Sequence, residues 1–269
     1  MLPPSHNKSC GFYICPHNNK NTKKYTLNEG VSFSMSLCCA FIYKVITYLA
    51  TDSVSSIVLD YSIFGGNPIA YKPISFAEEK IIKLPIKNRH IFVTISGINK
   101  IPEISIKDLI LKTDFDVNAS VTILLNDIKE QFDKYSVINC FPGNRTEIRI
   151  FEYQKTGELH TDFFVYDWET QKIINNYHFE KFSYDSDLPK RFLSGQDWAK
   201  LVAHYVHFEK NEISTEDTVS RINEIYSRVK EASRYFDSTV GGIIRILKLT
   251  PDGYEWLQNP PLKDKNALL

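Results

Sequence analysis

Helical and extended periodicities follow one another in blocks along this chain, and the order of the blocks excludes most architectures. Extended segments come first, then two helices in succession, then more extended segments, a second helix pair, and a closing pair of strands. Helices that arrive in sequential pairs, rather than alternating with single strands, argue against a doubly wound parallel sheet. Two sheets packed face to face, with a helix pair on each outer side, bury every apolar face. The expected class is therefore α+β, a four-layer αββα sandwich.

The individual segments are readable. Residues 36–43 and 45–51 are apolar runs around Lys44, as in a β-hairpin. Extended segments near 56–64 and 78–86 flank the turn cluster Gly65-Gly66-Asn67-Pro68. Residues 90–96 form a strand that stops at Gly97. A helix is expected near 103–113, and a second over 118–135, where Val121, Leu124, Leu125, Ile128 and Phe132 recur at helical spacing behind Asn118 as N-cap. Strands follow at 146–153, 160–168 and 171–180, then helices at 196–208 and 215–235. Ser214 with Asp217 resembles a capping box for the last helix. Strands at 242–249 and 253–257 meet at Asp252-Gly253, a hairpin turn signal. The first 34 residues are rich in Asn, Lys, Ser and Pro and carry little apolar periodicity. The expected organisation is a disordered or non-mature extension over 1–35, one domain over 36–258, and a tail over 259–269.

Charge and cysteine usage narrow the function classes. The 269 residues carry 32 basic and 32 acidic side chains, a formal net charge of +0. Nothing here draws the chain to nucleic acid or to an anionic membrane. Of 5 cysteines, Cys38 and Cys39 are adjacent in an apolar run and act as small hydrophobes. No disulfide framework is expected, which fits a reducing, cytoplasmic setting. Cys10, Cys15, His6 and His17 match no standard zinc spacing. There is no Walker A loop, G-x-G-x-x-G or H-E-x-x-H, so neither metal nor organic cofactor is expected. The apolar run over 37–50 is broken by Lys44 and is shorter than the ~20 residues of a spanning helix.

Several short motifs occur in a telling order. Residues 237–257 read DSTVGGIIRILKLTPDGYEWL, Ala50-Thr51-Asp52 closes the first hairpin, Lys80 opens KIIKL, residues 93–97 read VTISG, and Ser194-Gly195 precedes a helix. In these respects the chain resembles a proteasome β-type subunit of the N-terminal nucleophile (Ntn) hydrolase family, over about residues 36–258. Alone, Lys80 would read as a surface lysine and Asp52 as a turn residue; in this order they fall around one nucleophile position.

The resemblance implies a set of roles. Counting back from Asp52, the nucleophile falls on Ser36. Its own α-amine acts as base, which requires Ser36 to be the first residue; an α-amine ordinarily titrates at ~7.7–8.0, close to working pH. Lys80 lies beside that amine, Asp52 orients Lys80, the Gly97 N–H stabilises the oxyanion, and Ser194, Asp237 and Ser238 support the N-terminus. The substrate is then a peptide or other amide, and the assembly a homo-oligomer. Met35 precedes Ser36, and Glu29-Gly30-Val31 can be encoded by a purine-rich run like a bacterial ribosome-binding site. Translation from Met35 followed by its removal would expose Ser36. The chain departs from the family in using Ser where proteasome subunits use Thr, in Val240 where a supporting serine stands, and in a longer stretch between Asp52 and Lys80. Members of this fold also include non-catalytic subunits, the second functional expectation.

Overall fold

The structure is a computed structural model that describes residues 23–26, 32–34, 37–60, 70–75, 77–101, 104–138, 145–168, 170–182, 190–195, 197–206, 214–233 and 240–261. It begins with two short strands, β1 (Lys23–Thr26) and β2 (Ser32–Ser34). A hairpin of β3 (Leu37–Tyr43) and β4 (Ile46–Thr51) follows, turning at Lys44 with φ +50. Next come β5 (Ser55–Asp60), β6 (Ala70–Ser75), β7 (Ile81–Lys83), β8 (Ile91–Ile101) and β9 (Ile104–Ser105). The first helix pair is α1 (Ile106–Leu111) and α2 (Val121–Phe132). Then come β10 (Tyr135–Ile138), β11 (Arg145–Tyr153), β12 (Leu159–Asp167), β13 (Lys172–Phe182) and β14 (Lys190–Gly195). The second pair is α3 (Asp197–His204) and α4 (Thr215–Ser233), before β15 (Arg245–Thr250) and β16 (Gly253–Gln258).

The block order expected from the sequence is present: a mixed α and β chain with mostly antiparallel sheets. The local causes are visible. Ser214 Oγ accepts from the Asp217 amide at 3.0 Å and meets the Asp217 carboxylate at 2.8 Å, capping α4 as expected. The cap of α2 is Ser120, whose Oγ accepts from the Ile123 amide at 3.4 Å, and not Asn118. Asn118 instead donates its amide to Asp116 Oδ1 at 2.9 Å in a local turn that ends before the helix.

Strand extents depart from expectation: β8 does not stop at Gly97 but runs on to Ile101, and β10 and β14 are strands the sequence did not signal. The 78–86 segment contains a strand of only three residues, because the chain turns at Asn88 (φ +60) back into β8 and Pro85 has no amide to give the ladder. β6 carries Pro73, which reads against a strand in sequence but is tolerated because β6 is a sheet edge. Strands β1 and β2 lie within the stretch read as lacking structure. β1 runs parallel to β10, and β2 is paired on both sides, so these segments are ordered by partners distant in sequence.

Among the described residues, nine strands form one sheet in the order β13-β12-β11-β8-β2-β5-β6, with β7 and β9 also on β8. Five form another in the order β14-β3-β4-β15-β16. Alternation along the strands sorts side chains into three apolar clusters. Ile91, Val93 and Ile95 of β8 pack with Leu109, Ile110, Leu124 and Ile128 of α1 and α2. Leu37, Cys39 and Phe41 of β3 pack with Ala203, Ile222 and Val229 of α3 and α4. The alternate residues Ala40, Ile42 and Leu49 meet Phe92 and Phe151 of the other sheet. No helix among the described residues is long and apolar enough to cross a membrane, and the 37–50 run is the β3–β4 hairpin.

Candidate functional site

Asp52 follows the last residue of β4 and has no exposed surface. Its Oδ1 accepts from Lys80 Nζ at 3.0 Å and from the backbone amide of Leu37 at 3.2 Å. Its Oδ2 accepts from the amides of Gly241 at 3.2 Å and Val54 at 3.4 Å. Lys80 is 1% exposed and gives a second bond, 2.7 Å long, to the Val54 carbonyl. Lys80 is thus no surface lysine. Burial pushes the Asp52 carboxyl above its ordinary value, against the pull of the Lys80 ammonium and the amides of Gly241 and Val54. Half-buried Glu78, beside Lys80, is likewise pushed up by burial.

Secondary structure explains why these groups meet. β3 and β4 pair antiparallel, so the end of β4 returns beside the start of β3. The segment after α4 closes over the junction: the Ser53 amide donates to the Gly241 carbonyl at 3.2 Å, and Ser53 Oγ accepts from the Ile243 amide at 2.7 Å. The Gly-Gly pair singled out in the sequence therefore supplies a backbone donor to Asp52.

One edge of β8 carries the next part of the site. β7 pairs with Phe92, Val93 and Thr94, and the Lys80 carbonyl accepts from the Ile95 amide at 3.0 Å. Two residues further on, Gly97 lies opposite Ser34 of β2. Gly97 has φ +91, and a Cβ there would lie 2.0 Å from the Arg145 carbonyl oxygen. Glycine is required at this position by backbone geometry. Thr146 fixes the neighbourhood by donating to the Ile98 carbonyl at 2.7 Å while accepting from Trp168 Nε1 at 2.8 Å.

Of the remaining expected residues, Ser194 is buried on β14 opposite Cys38, with Gly195 opposite Leu37. Ser36, Asp237 and Ser238 lie outside the described residues, as do Cys10, Cys15, His6 and His17. Tyr226 of α4 was not signalled by the sequence. Its hydroxyl lies 2.7 Å from the Leu37 carbonyl oxygen and 2.8 Å from that of Ala50. A tyrosine at a buried helix position looks like any other core aromatic until its partners are known. Among the described residues, no group of three His, Cys, Asp or Glu side chains is arranged to hold a metal ion.

No family model matches the sequence, and no curated protein matches it. Among solved structures, the chain is similar to Anbu, an ancestral beta-subunit, from Yersinia bercovieri, with TM-score 0.47 and 9% identity over 86% of this chain and 90% of that one.

Proposed function

We propose that this chain is a proteasome-like Ntn hydrolase, built as a four-layer αββα sandwich, that cleaves peptide or other amide bonds with Ser36 as its N-terminal nucleophile. The observation that carries the reading is the double acceptance at Asp52 Oδ1, from Lys80 Nζ and from the amide of Leu37. A buried cation is tied, through one carboxylate oxygen, to the residue that follows Ser36. The three apolar clusters, one between the sheets and one under each helix pair, support the layered reading.

In this mechanism residues 1–35 are absent and the Ser36 α-amine is free. Ser36 Oγ adds to the amide carbonyl carbon while its proton passes to the α-amine. The Gly97 N–H faces the oxyanion. Collapse breaks the C–N bond, the proton goes to the leaving amine, and an ester to Ser36 remains. Water, deprotonated by the same α-amine, cleaves that ester and restores Ser36. The positive charge of Lys80 lowers the pKa of the amine, keeping it available as a base near neutral pH. Asp52 orients Lys80, and Ser194, Asp237 and Ser238 support the N-terminus. No cofactor enters. An extended peptide suits the site, because the backbone of 32–34 already pairs antiparallel with both β5 and β8. A homo-oligomer in the cytoplasm, without nucleic-acid or membrane partners, completes the reading.

The same strand pairing favours a second reading. A chain that keeps residues 1–35 has an amide, not an amine, at Ser36, and is a non-catalytic Ntn-fold subunit of an assembly. The intact mass and N-terminal sequence of the protein made from its own gene separate the two. A chain beginning at Ser36 that reacts with a peptide β-lactone, and loses that reaction in Ser36→Ala, supports the hydrolase. A chain beginning at Met1 and inert to the probe sinks it in favour of the structural subunit.

A further inference from the structure

Leu37 is held at both of its backbone polar groups. Its amide donates to Asp52 Oδ1, and its carbonyl oxygen faces the Tyr226 hydroxyl at 2.7 Å. The same hydroxyl is 2.8 Å from the carbonyl oxygen of Ala50, two residues before Asp52. One phenol therefore ties the start of β3 to the end of β4, the two strand ends between which the Asp52–Lys80 pair sits. Tyr226 is 2% exposed, in the apolar cluster between α3, α4 and the five-stranded sheet. Phenylalanine would fill that volume equally well. A buried hydroxyl carries a desolvation cost that must be offset by its bonds. A single phenolic proton thus lies between two carbonyl acceptors.

We infer that Tyr226 is a positioning residue: by fixing the Leu37 and Ala50 carbonyls it sets the backbone to which Ser36 is joined at a constant distance from Lys80. This rests on the reading of Ser36 as nucleophile. It goes beyond that reading in giving a helix on the outer face of the sheet a part in the reaction. Loosening Leu37 moves the Ser36 amine relative to the Lys80 charge, so reactivity and its pH dependence change together.

The test uses the protein made from its own gene, as parent, Tyr226→Phe and Val229→Ala. Val229 is buried on the same helix and serves as a stability control whose side chain has no donor to give either carbonyl. Acylation by a peptide β-lactone is followed across pH. Tyr226→Phe is expected to slow acylation on the order of tenfold to a hundredfold, as small misplacements of reacting groups do. The acid limb of its rate–pH profile moves to higher pH, while Val229→Ala keeps the parent profile. A Tyr226→Phe protein with the parent rate and profile overturns the inference, as does an identical profile shift in Val229→Ala. If the parent does not react at all, the Ser36 reading falls. The clamp is then judged by amide hydrogen exchange at residues 37–39: faster exchange in Tyr226→Phe supports it and unchanged exchange overturns it. Should Tyr226→Phe not fold, Tyr226→3-fluorotyrosine, which keeps the ring and changes the acidity of the hydroxyl that faces both carbonyls, takes its place: a changed acylation rate with a shifted profile supports the clamp, and the parent rate and profile overturn it.

Discussion

Lys80 Nζ and Asp52 Oδ1, from segments 28 residues apart, meet at 3.0 Å with side chains 1% and 0% exposed. Such a pair survives burial only with further hydrogen bonds, and here the Val54 carbonyl takes a second Lys80 N–H while three backbone amides donate to the Asp52 carboxylate. Removing one partner strands the other charge. Lys80→Met is expected to destabilise the fold by about 3–5 kcal/mol. The double variant Asp52→Asn with Lys80→Met is expected to recover part of that loss. Urea unfolding of the three proteins checks it; a Lys80→Met variant as stable as the parent contradicts the buried pair.

Gly97→Ala separates strain from collision. At φ +91 an alanine carries a backbone cost of ~1–3 kcal/mol, and its Cβ additionally meets the Arg145 carbonyl oxygen at 2.0 Å. The β8–β11 ladder has little room to yield, since Thr146 bonds both Ile98 and Trp168. Gly157 has a similar φ of +87, but its nearest neighbour is 3.9 Å away. Gly157→Ala therefore reports strain alone. Gly97→Ala is expected to lower the melting temperature well beyond Gly157→Ala; equal losses would mean the strand moves to make room.

Arg89 fastens the loop before α2 to β11. Its Nε and Nη2 bind the two Glu152 oxygens at 2.7 and 2.8 Å, and Nη1 donates to the carbonyls of Val117 and Ala119 at 2.9 and 2.8 Å. A lysine keeps the charge but not the fork. Arg89→Lys is expected to cost about 1.5–3 kcal/mol in urea unfolding, the range for hydrogen bonds to charged groups, with faster amide exchange around residues 117–119. A neutral outcome would show that the charge, not the fork, matters there.

The legible parts of this fold were those set by local physics. The β3–β4 hairpin, the spacing of Val121, Leu124, Leu125, Ile128 and Phe132, and the Ser214–Asp217 cap all follow from residues close in sequence. β6 was hidden because Pro73 argues against a strand, and only its place at a sheet edge makes it one. β1 and β2 were hidden because their partners lie elsewhere in the chain. Asp52, Lys80 and Gly97 were singled out through the family resemblance, and the structure brings Asp52 and Lys80 into direct contact. Tyr226 was not, because what distinguishes it is a pair of carbonyls contributed by other strands.

The head of β3 also predicts an alkaline weakness. Cys38 and Cys39 are buried free thiols. Burial raises Cys38 far above its ordinary 9.0 and Cys39 from 9.0 to about 12, and burial likewise raises the Tyr226 phenol well above 10.0. The sign follows directly. Unfolded thiols ionise near their ordinary value while folded ones stay protonated, so the unfolded state loses protons first. The contribution is complete below the ordinary thiol value of 9.0 and is lost as pH rises from there towards about 12. The urea midpoint is expected to fall as pH rises above about 9, with a shallower fall in a Cys38→Ala/Cys39→Ala variant. The Cys38 Sγ contact to the Ile95 carbonyl at 3.2 Å places that thiol against β8, so native protein should also resist alkylation at both cysteines near neutral pH. Peptide mapping after iodoacetamide treatment, with and without denaturant, reads this directly. Labelling of Cys38 or Cys39 in the native protein would mean that the start of β3 opens to solvent, and with it the backbone on which the Asp52 and Tyr226 contacts to Leu37 depend.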